Sequence, residues 1–339
     1  MAYDFTPIHL SSVFRSGSAL LGRILNAHSK ISVTDDKLKF YLFTNENSTL
    51  TDAVLIEKLQ EIKFRLKNRW GIDLDVDFCL KLVNQNKLTY ESLHLALLKL
   101  LSKTGDCKVI GEMEVLSWRE IEGFLDANPK AKAIMLVRDI RDVVCSFKKN
   151  TIAKGNDYLI SLFNVLDSMQ YFLHYKKNYP DRFLGIKFED LKYDSIHETK
   201  KICKFLGLDF EEGMLDSNNW YDDMGGIWKN TKVSSFYDTK DHINPVGRWK
   251  NIISKEDLFL CEWIAKKEMS EFKMEFHSKE ISSEVFQNAI SKLNSSDLIS
   301  EAFQNWVMTE KGVQKYPINP KKPENWDQKE IKNLSAFNL

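Results

Sequence analysis

The feature that most narrows the possible folds is the stretch from Ile8 to His28, IHLSSVFRSGSALLGRILNAH. An apolar extended run, Pro7 to Phe14, reads as a buried strand. It ends in small residues, and from Ser18 the residues Leu20, Leu21, Ile24, Leu25 and His28 recur at helical spacing. Strand, tight turn and helix in immediate succession place a helix N-terminus, with its unpaired amides and positive dipole end, at a glycine that lets an anion approach the backbone. The lysine of the usual nucleotide loop GxxxxGK[ST] is missing, because Gly17 is followed by Ser18 and Ala19. That argues against a nucleoside triphosphatase. The positive charge lies before the glycine instead, on Arg15, whose planar fork suits an oxyanion, and Ser16 and Ser18 add hydroxyl donors.

Further strands are expected at Cys107–Glu112, Ala131–Val137 and Phe183–Phe188. The second is a continuous apolar run, as in a strand covered on both faces. Helical patterns lie between them. One begins at Ser117 and stops at Pro129. Another places Ile140, Val143, Val144 and Phe147 on one face, and a third spans Tyr158 to Lys177. Ser195 and Glu198 make a capping box for a helix closed at Gly207, and Ser254 with Asp257 opens another. The region from Leu38 to Lys103 is mostly helical. This alternation specifies an α/β fold with a mainly parallel central sheet flanked by helices. Residues 1–280 carry it, with 38–103 as a helical insertion. Residues 281–339 read as a helical extension and a proline- and lysine-rich tail, lying on the surface or docking on a partner.

Lys+Arg and Asp+Glu balance at 48 each, so no global charge draws the chain to nucleic acid or a membrane, and any anion site must be local. Five scattered cysteines with no CxxC pair are expected to be reduced and buried, which fits a cytoplasmic location. No signal pattern and no apolar run of membrane-spanning length occur. The histidines have no ligand spacing, so no metal is expected, and His28, on the apolar side of the first helix, reads as a packing residue.

Two further stretches can meet an anion. In LVRDIRDVVCSF, Arg138 ends a strand at the edge where open α/β sheets bind ligands. Ser146, eight residues on, can share its side of the following helix. The same residues also fit a structural cluster, with Arg138 and Arg141 paired to Asp139 and Asp142. The third stretch, VSSFYDTKDHINPVGRWKN, brings Ser235, Phe236, Arg248 and Lys250 onto an irregular loop of the kind that closes over a nucleotide.

In this order the three stretches resemble the sulfotransferase superfamily, which uses 3′-phosphoadenosine 5′-phosphosulfate (PAPS). FRSGSALLGRILNAH is similar to its 5′-phosphosulfate loop, and LVRDIRDVVCSF to its 3′-phosphate motif. IKFEDLKYDSIHETKKICKFLGL is similar to its YEDL…FLGL segment, and VGRWKN to its late GxWKN element. The resemblance spans Ile8 to Lys267 and is nearer the bacterial, tyrosyl-protein and carbohydrate branches. It implies a P-loop-like sulfotransferase fold and in-line sulfuryl transfer to an acceptor hydroxyl on a carbohydrate, lipid-like, small-molecule or peptide substrate. It implies that Arg15 neutralises the oxygen released as the S–O bond breaks, and that Ser16, Gly17, Ser18 and Ala19 hold the 5′-phosphate. Arg138 and Ser146 would hold the 3′-phosphate, Arg248 would reach the cosubstrate, and Phe188 and Phe236 fall where adenine-packing aromatics are found. The chain departs from the pattern at Ala19, where a threonine is usual, and at Met113, where many members carry a lysine that assists the sulfonate.

Sulfuryl transfer needs a base. Counted along the tyrosyl-protein pattern, the family's glutamate falls at Asp36, and Glu112 and Glu114 in GEMEV are the other carboxylates in reach. Two rival readings stand beside this one. A P-loop kinase or NTPase would require a loop lysine and magnesium. A non-catalytic nucleotide-binding relative would bind the nucleotide without transfer.

Overall fold

The protein is described by a computed structural model over residues 4–44, 51–84, 89–150, 153–221, 227–228, 245–278 and 280–325. Five strands form one parallel sheet: β1 (Thr6–Ser12), β2 (Ile31–Asp35), β3 (Val109–Val115), β4 (Lys132–Val137) and β5 (Phe183–Lys187), in the order β2-β3-β1-β4-β5. Every residue of β3, and all but the first of β1 and β4, is buried. That is the burial a parallel sheet acquires when crossover helices cover both faces.

Helix α1 (Ser18–Asn26) joins β1 to β2. Between β2 and β3 lie α2 (Phe40–Thr44), α3 (Asp52–Trp70), α4 (Val76–Asn84) and α5 (Tyr90–Leu100), which gather their own apolar cluster around Leu59, Ile62, Leu93 and Leu97. The helical expectation for 38–103 is met. After β3 come a 3₁₀ turn at Trp118–Glu120 and α6 (Ile121–Ala127). After β4 come α7 (Ile140–Asn150) and the long α8 (Ile160–Asn178). Helices α9 (Phe188–Tyr193) and α10 (Ser195–Leu206) follow β5. Then come α11 (Lys255–Ile264), α12 (Lys266–Glu271), α13 (Ser283–Leu293) and α14 (Asp297–Thr309). Residues Ala289, Leu293, Ile299 and Ala302 of the last two helices join the same apolar cluster as α7 and α8.

Three local expectations are corrected. β3 runs on to Val115 rather than ending at Glu112, which carries Glu114 to the sheet edge. The strand expected through Phe188 stops at Lys187, and Phe188 opens α9. The cap of α10 is Asp194, not Ser195: its carboxylate accepts from the His197 amide at 3.0 Å, while Ser195 is already helical. Gly207 closes α10 in a left-handed conformation, and Ser254 caps α11, as expected. All five cysteines are buried free thiols. His28 is buried, its Nε2 bonded to the Asp209 carbonyl and its Nδ1 accepting from the Lys30 amide. Among the described residues no helix is long and apolar enough to cross a membrane.

Candidate active site

Register assembles the site. Ser12 lies opposite both Val115 and Leu136, so the chain leaves β1, β3 and β4 at one level on the C-terminal edge. The backbone is strained at that edge. Arg15 (φ 69°), Asp36 (φ 53°), Lys39 (φ 48°) and Leu116 (φ 57°) all adopt the left-handed conformation that non-glycine residues avoid. Four such residues just past three adjacent strands mark the place where tertiary contacts over-determine the chain.

The loop after β1 turns through a Ser16 amide bond to the Val13 carbonyl and enters α1 at Gly17 (φ 99°), with no side chain capping the helix. The amides of the first turn, Ser18 and Ala19 included, have no intrahelical acceptor and are oriented for an anion. Gly17 is required twice. Its φ suits glycine, and a Cβ there would lie 2.4 Å from the Phe188 ring. Phe188 is fully buried and also lies 4.6 Å from the Arg138 guanidinium, so it supports the loop from within.

Arg138 is 8% exposed and bridges two loops, donating to the Arg15 carbonyl at 2.9 Å and to the Pro245 carbonyl at 2.5 Å. Arg15 Nε donates to Ser146 Oγ at 3.1 Å, across 131 residues of sequence. Asp142 accepts from the Gly247 and Trp249 amides at 2.8 and 3.0 Å, which seats the turn carrying Arg248. Burial holds the Asp142 carboxyl above its usual range, opposed by Arg138 and these two amides. Arg15, Arg138, Ser146 and Arg248 thus line one small cavity of about 40 Å³ with Asp142, Cys145, Pro245 and Ile252. Arg141, by contrast, is structural. It is held by Asp139 at 2.7 Å and Glu262 at 2.8 Å, and stacks 3.9 Å from the Trp249 ring. The two readings of the RDIRD cluster therefore divide: Arg138 faces the cavity and Arg141 faces the core. Ser235 and Phe236 lie outside the described residues.

The carboxylates form a second, separate group at the ends of β2 and β3. Asp36 pairs with Lys39 Nζ at 2.5 Å, and its backbone carbonyl accepts from Arg65. Glu112 is wholly buried, its Oε1 taking the Leu38 and Lys39 amides, both at 2.9 Å. Glu114 is also buried, and its Oε2 has no hydrogen-bond partner among the described residues. Burial first, and the neighbouring Glu112 second, push its carboxyl well above the usual range, with Lys39 opposing. Met113, between them, points to the opposite face and packs with Leu10 and Ile24. His9, in register with Glu112, bonds Ser117 Oγ at 2.9 Å, and burial lowers its pKa to about 3, so it is neutral at pH 7.

Sequence reasoning missed Asp142 as the residue that seats the Arg248 turn. It also missed Lys39, one of two lysines in the turn after β2, and Tyr316, 201 residues from the Val115 carbonyl it donates to. Only the RDxRD spacing carried any signal for the first, and nothing local marked the others.

A family model described as "Sulfotransferase family" matches residues 7–212, more than half of the chain. Sulfotransferase 2A6 of Rattus norvegicus is 31% identical over 144 residues, covering 36% of this chain and 51% of that protein. Sulfotransferase 2A1 of the same organism is 39% identical over 101 residues, covering 26% and 35%. The chain thus spans about half the length, or less, of these curated relatives. Among solved structures, the sulfotransferase domain from the curacin biosynthetic pathway superposes with a TM-score of 0.51 at 21% identity, over 80% of this chain and 99% of that one, which is a likeness of fold. With its parallel sheet and the family match over residues 7–212, this chain belongs to the sulfotransferase family.

Proposed function

We propose that the protein transfers a sulfuryl group from PAPS to an acceptor hydroxyl. The observation that carries this reading is the convergence of Arg15, Arg138, Ser146 and Arg248 on one cavity beside an uncapped helix N-terminus. In a chain of balanced charge, three arginines at one point fit a ligand with more than one phosphate. The bound nucleotide supplies the sulfuryl group. Arg15 and the first-turn amides of α1 stabilise charge on the departing phosphate oxygen, and Arg138 and Ser146 take the second phosphate.

Glu114 is the base in this reading. Asp36 is already neutralised by Lys39, and one oxygen of Glu112 is occupied by two amides. Both glutamates keep a buried Oε2 with no hydrogen bond among the described residues, but Glu112 Oε2 lies 3.8 Å from His94 Nε2, whereas burial raises the Glu114 pKa and brings it closer to working pH. Glu114 takes the proton of the acceptor hydroxyl as that oxygen bonds to sulfur. Lys39 provides the cation on this side that position 113 lacks. Residues 1–280 form the catalytic unit, with 38–103 shaping the acceptor side and 281–339 as an extension. The five buried thiols favour the cytoplasm.

The test is a thermal-shift comparison of 3′,5′-ADP with Mg·ATP, followed by turnover of radiolabelled PAPS against phenols, sterols, saccharides and tyrosyl peptides. Stabilisation by 3′,5′-ADP without magnesium and label transfer to one acceptor class are expected. Stabilisation by ATP alone would return the kinase reading. Binding of 3′,5′-ADP with no transfer to any of these acceptors would leave a nucleotide-binding relative.

A further inference from the structure

The chain returns to the carboxylate group from an unexpected direction. After α14 it turns at Glu310 (φ 56°), and the next residues lie along α8. The Gly312 amide donates to Gln170 Oε1 at 3.2 Å, and the Val313 amide donates to the Phe163 carbonyl at 3.2 Å. The Asn164 amide group bonds both the carbonyl and the N–H of Lys315, at 2.9 and 2.8 Å. Gln314 accepts from the Arg119 amide and reaches Glu120. Four consecutive residues are therefore tied down, more than a passive tail requires. Gly312 packs so closely that a Cβ would lie 2.3 Å from the Asp167 nitrogen and the Phe163 oxygen, both backbone atoms.

This anchorage delivers one side chain, Tyr316. Its hydroxyl donates to the Val115 carbonyl at the end of β3, at 3.0 Å. Its ring meets the Phe14 ring edge-on at 5.9 Å, beside Arg15 of the phosphate loop. The Lys39 ammonium lies 5.3 Å from the ring centroid and 3.5 Å from the hydroxyl, and the Lys39 side chain is 3% exposed. One phenol thus touches the phosphate loop, the strand bearing Glu114 and the cation paired with Asp36.

We propose that Tyr316 is a positioning residue of the acceptor side: the Lys311–Tyr316 segment clamps Lys39 onto Asp36, ties the phosphate loop to the edge of β3, and keeps water from the carboxylates. Catalytic groups hold their geometry only when a surrounding shell locks them, and a cation over an aromatic face in a dry site gains more than one in water. The inference rests on the sulfotransferase reading for its meaning but not for its geometry. Glu114 faces Glu112 from its own strand, Asp36 and Lys39 from the turn after β2, Glu120 after β3, Tyr41 of α2, and Tyr316. Tyr316 and Tyr41 are aromatic neighbours of Glu114 among the described residues, and burial raises the pKa of both phenols, so neither is charged at neutral pH.

The test uses the full chain with Tyr316→Ala, Tyr316→Phe and Gly312→Val. Lys39 accessibility is read by pulse acetylation and mass spectrometry, with exposed Lys266 as the reference. Loss of the clamp in Tyr316→Ala and Gly312→Val is expected to raise Lys39 labelling on the order of tenfold, while Tyr316→Phe keeps the ring and stays near wild type. The second arm is the pH profile of label release from PAPS, with water as acceptor where nothing faster is found. Hydration lets Glu114 ionise more easily, so the acid limb should move down by about one pH unit in Tyr316→Ala and Gly312→Val and return in Tyr316→Phe. Unchanged Lys39 labelling in both disruptive variants overturns the clamp. Increased labelling with an unmoved acid limb makes the segment a cover without a positioning role and overturns the proposal too. A wild type that neither binds 3′,5′-ADP nor releases label fails the functional reading, and the labelling arm still reads the clamp.

Discussion

The two halves of the candidate site solve opposite electrostatic problems. On the β1–β4 side, three arginines and a helix N-terminus surround a cavity, and Asp142 is the carboxylate among its described lining residues. On the β2–β3 side, the half-buried Asp36 and the buried Glu112 and Glu114 gather about Lys39, with the buried Arg65 behind Asp36. The second half is held by internal amides and by an ion pair, and burial raises the pKa of one of its carboxyls. Sulfuryl transfer needs both conditions side by side: cations where a phosphate departs, and a carboxylate reluctant to ionise where a hydroxyl loses its proton.

The sharpest way to separate the halves is mutation on each side. Arg15→Ala should lower kcat/KM by about 10³-fold, since it removes a charge matched to the departing oxygen. Glu114→Gln should lower kcat by about 10²–10³-fold. Its affinity for 3′,5′-ADP, measured by calorimetry, should stay within about twofold of wild type, because Glu114 does not line the arginine cavity. If Glu114→Gln weakens nucleotide binding as much as Arg15→Ala does, the division into halves fails. Asp36→Asn is the discriminating control. It should cost less than about tenfold in kcat, and a loss equal to that of Glu114→Gln would move the base to Asp36.

Titration sharpens the contrast next. The base works deprotonated, and burial raises the Glu114 pKa, so turnover should climb with pH through a midpoint above the ordinary glutamate value of about 4.5. That limb should vanish in Glu114→Gln. A limb at or below 4.5 in wild type would mean a hydrated carboxylate and contradict the dry pocket.

The smallest effect on function, though not on the fold, should come from Arg141. Breaking its buried pairs with Asp139 and Glu262 by Arg141→Met should cost about 3–5 kcal/mol in chemical denaturation. The nucleotide affinity of the remaining folded protein should change little. A large loss of affinity with unchanged stability would return Arg141 to the ligand side.

Much of the arginine half could be read along the chain because its parts are local. A strand, a glycine turn and a helix are contiguous from Pro7 to Asn26, and Arg138 lies just before the helix that carries Ser146. Gly17 betrays its position, since few residues tolerate its φ. The carboxylate half was legible only as a set of candidates. Asp36, Glu112 and Glu114 look alike in sequence, and what distinguishes them is the company each keeps: Lys39 for the first, two amides for the second, burial beside Glu112 for the third.

The amino-acid sequence alone determined the parallel α/β architecture, the anion loop with its charge on Arg15, and the pairing of that loop with Arg138 and Ser146. Periodicity, turn chemistry and short-range spacing are properties of neighbours in the chain. Tertiary structure decided which arginine of RDIRD faces the cavity, what company each carboxylate keeps, and that Tyr316 comes back to cover Lys39. Desolvation and long-range contact set those outcomes, and both depend on what the folded chain brings together from far apart.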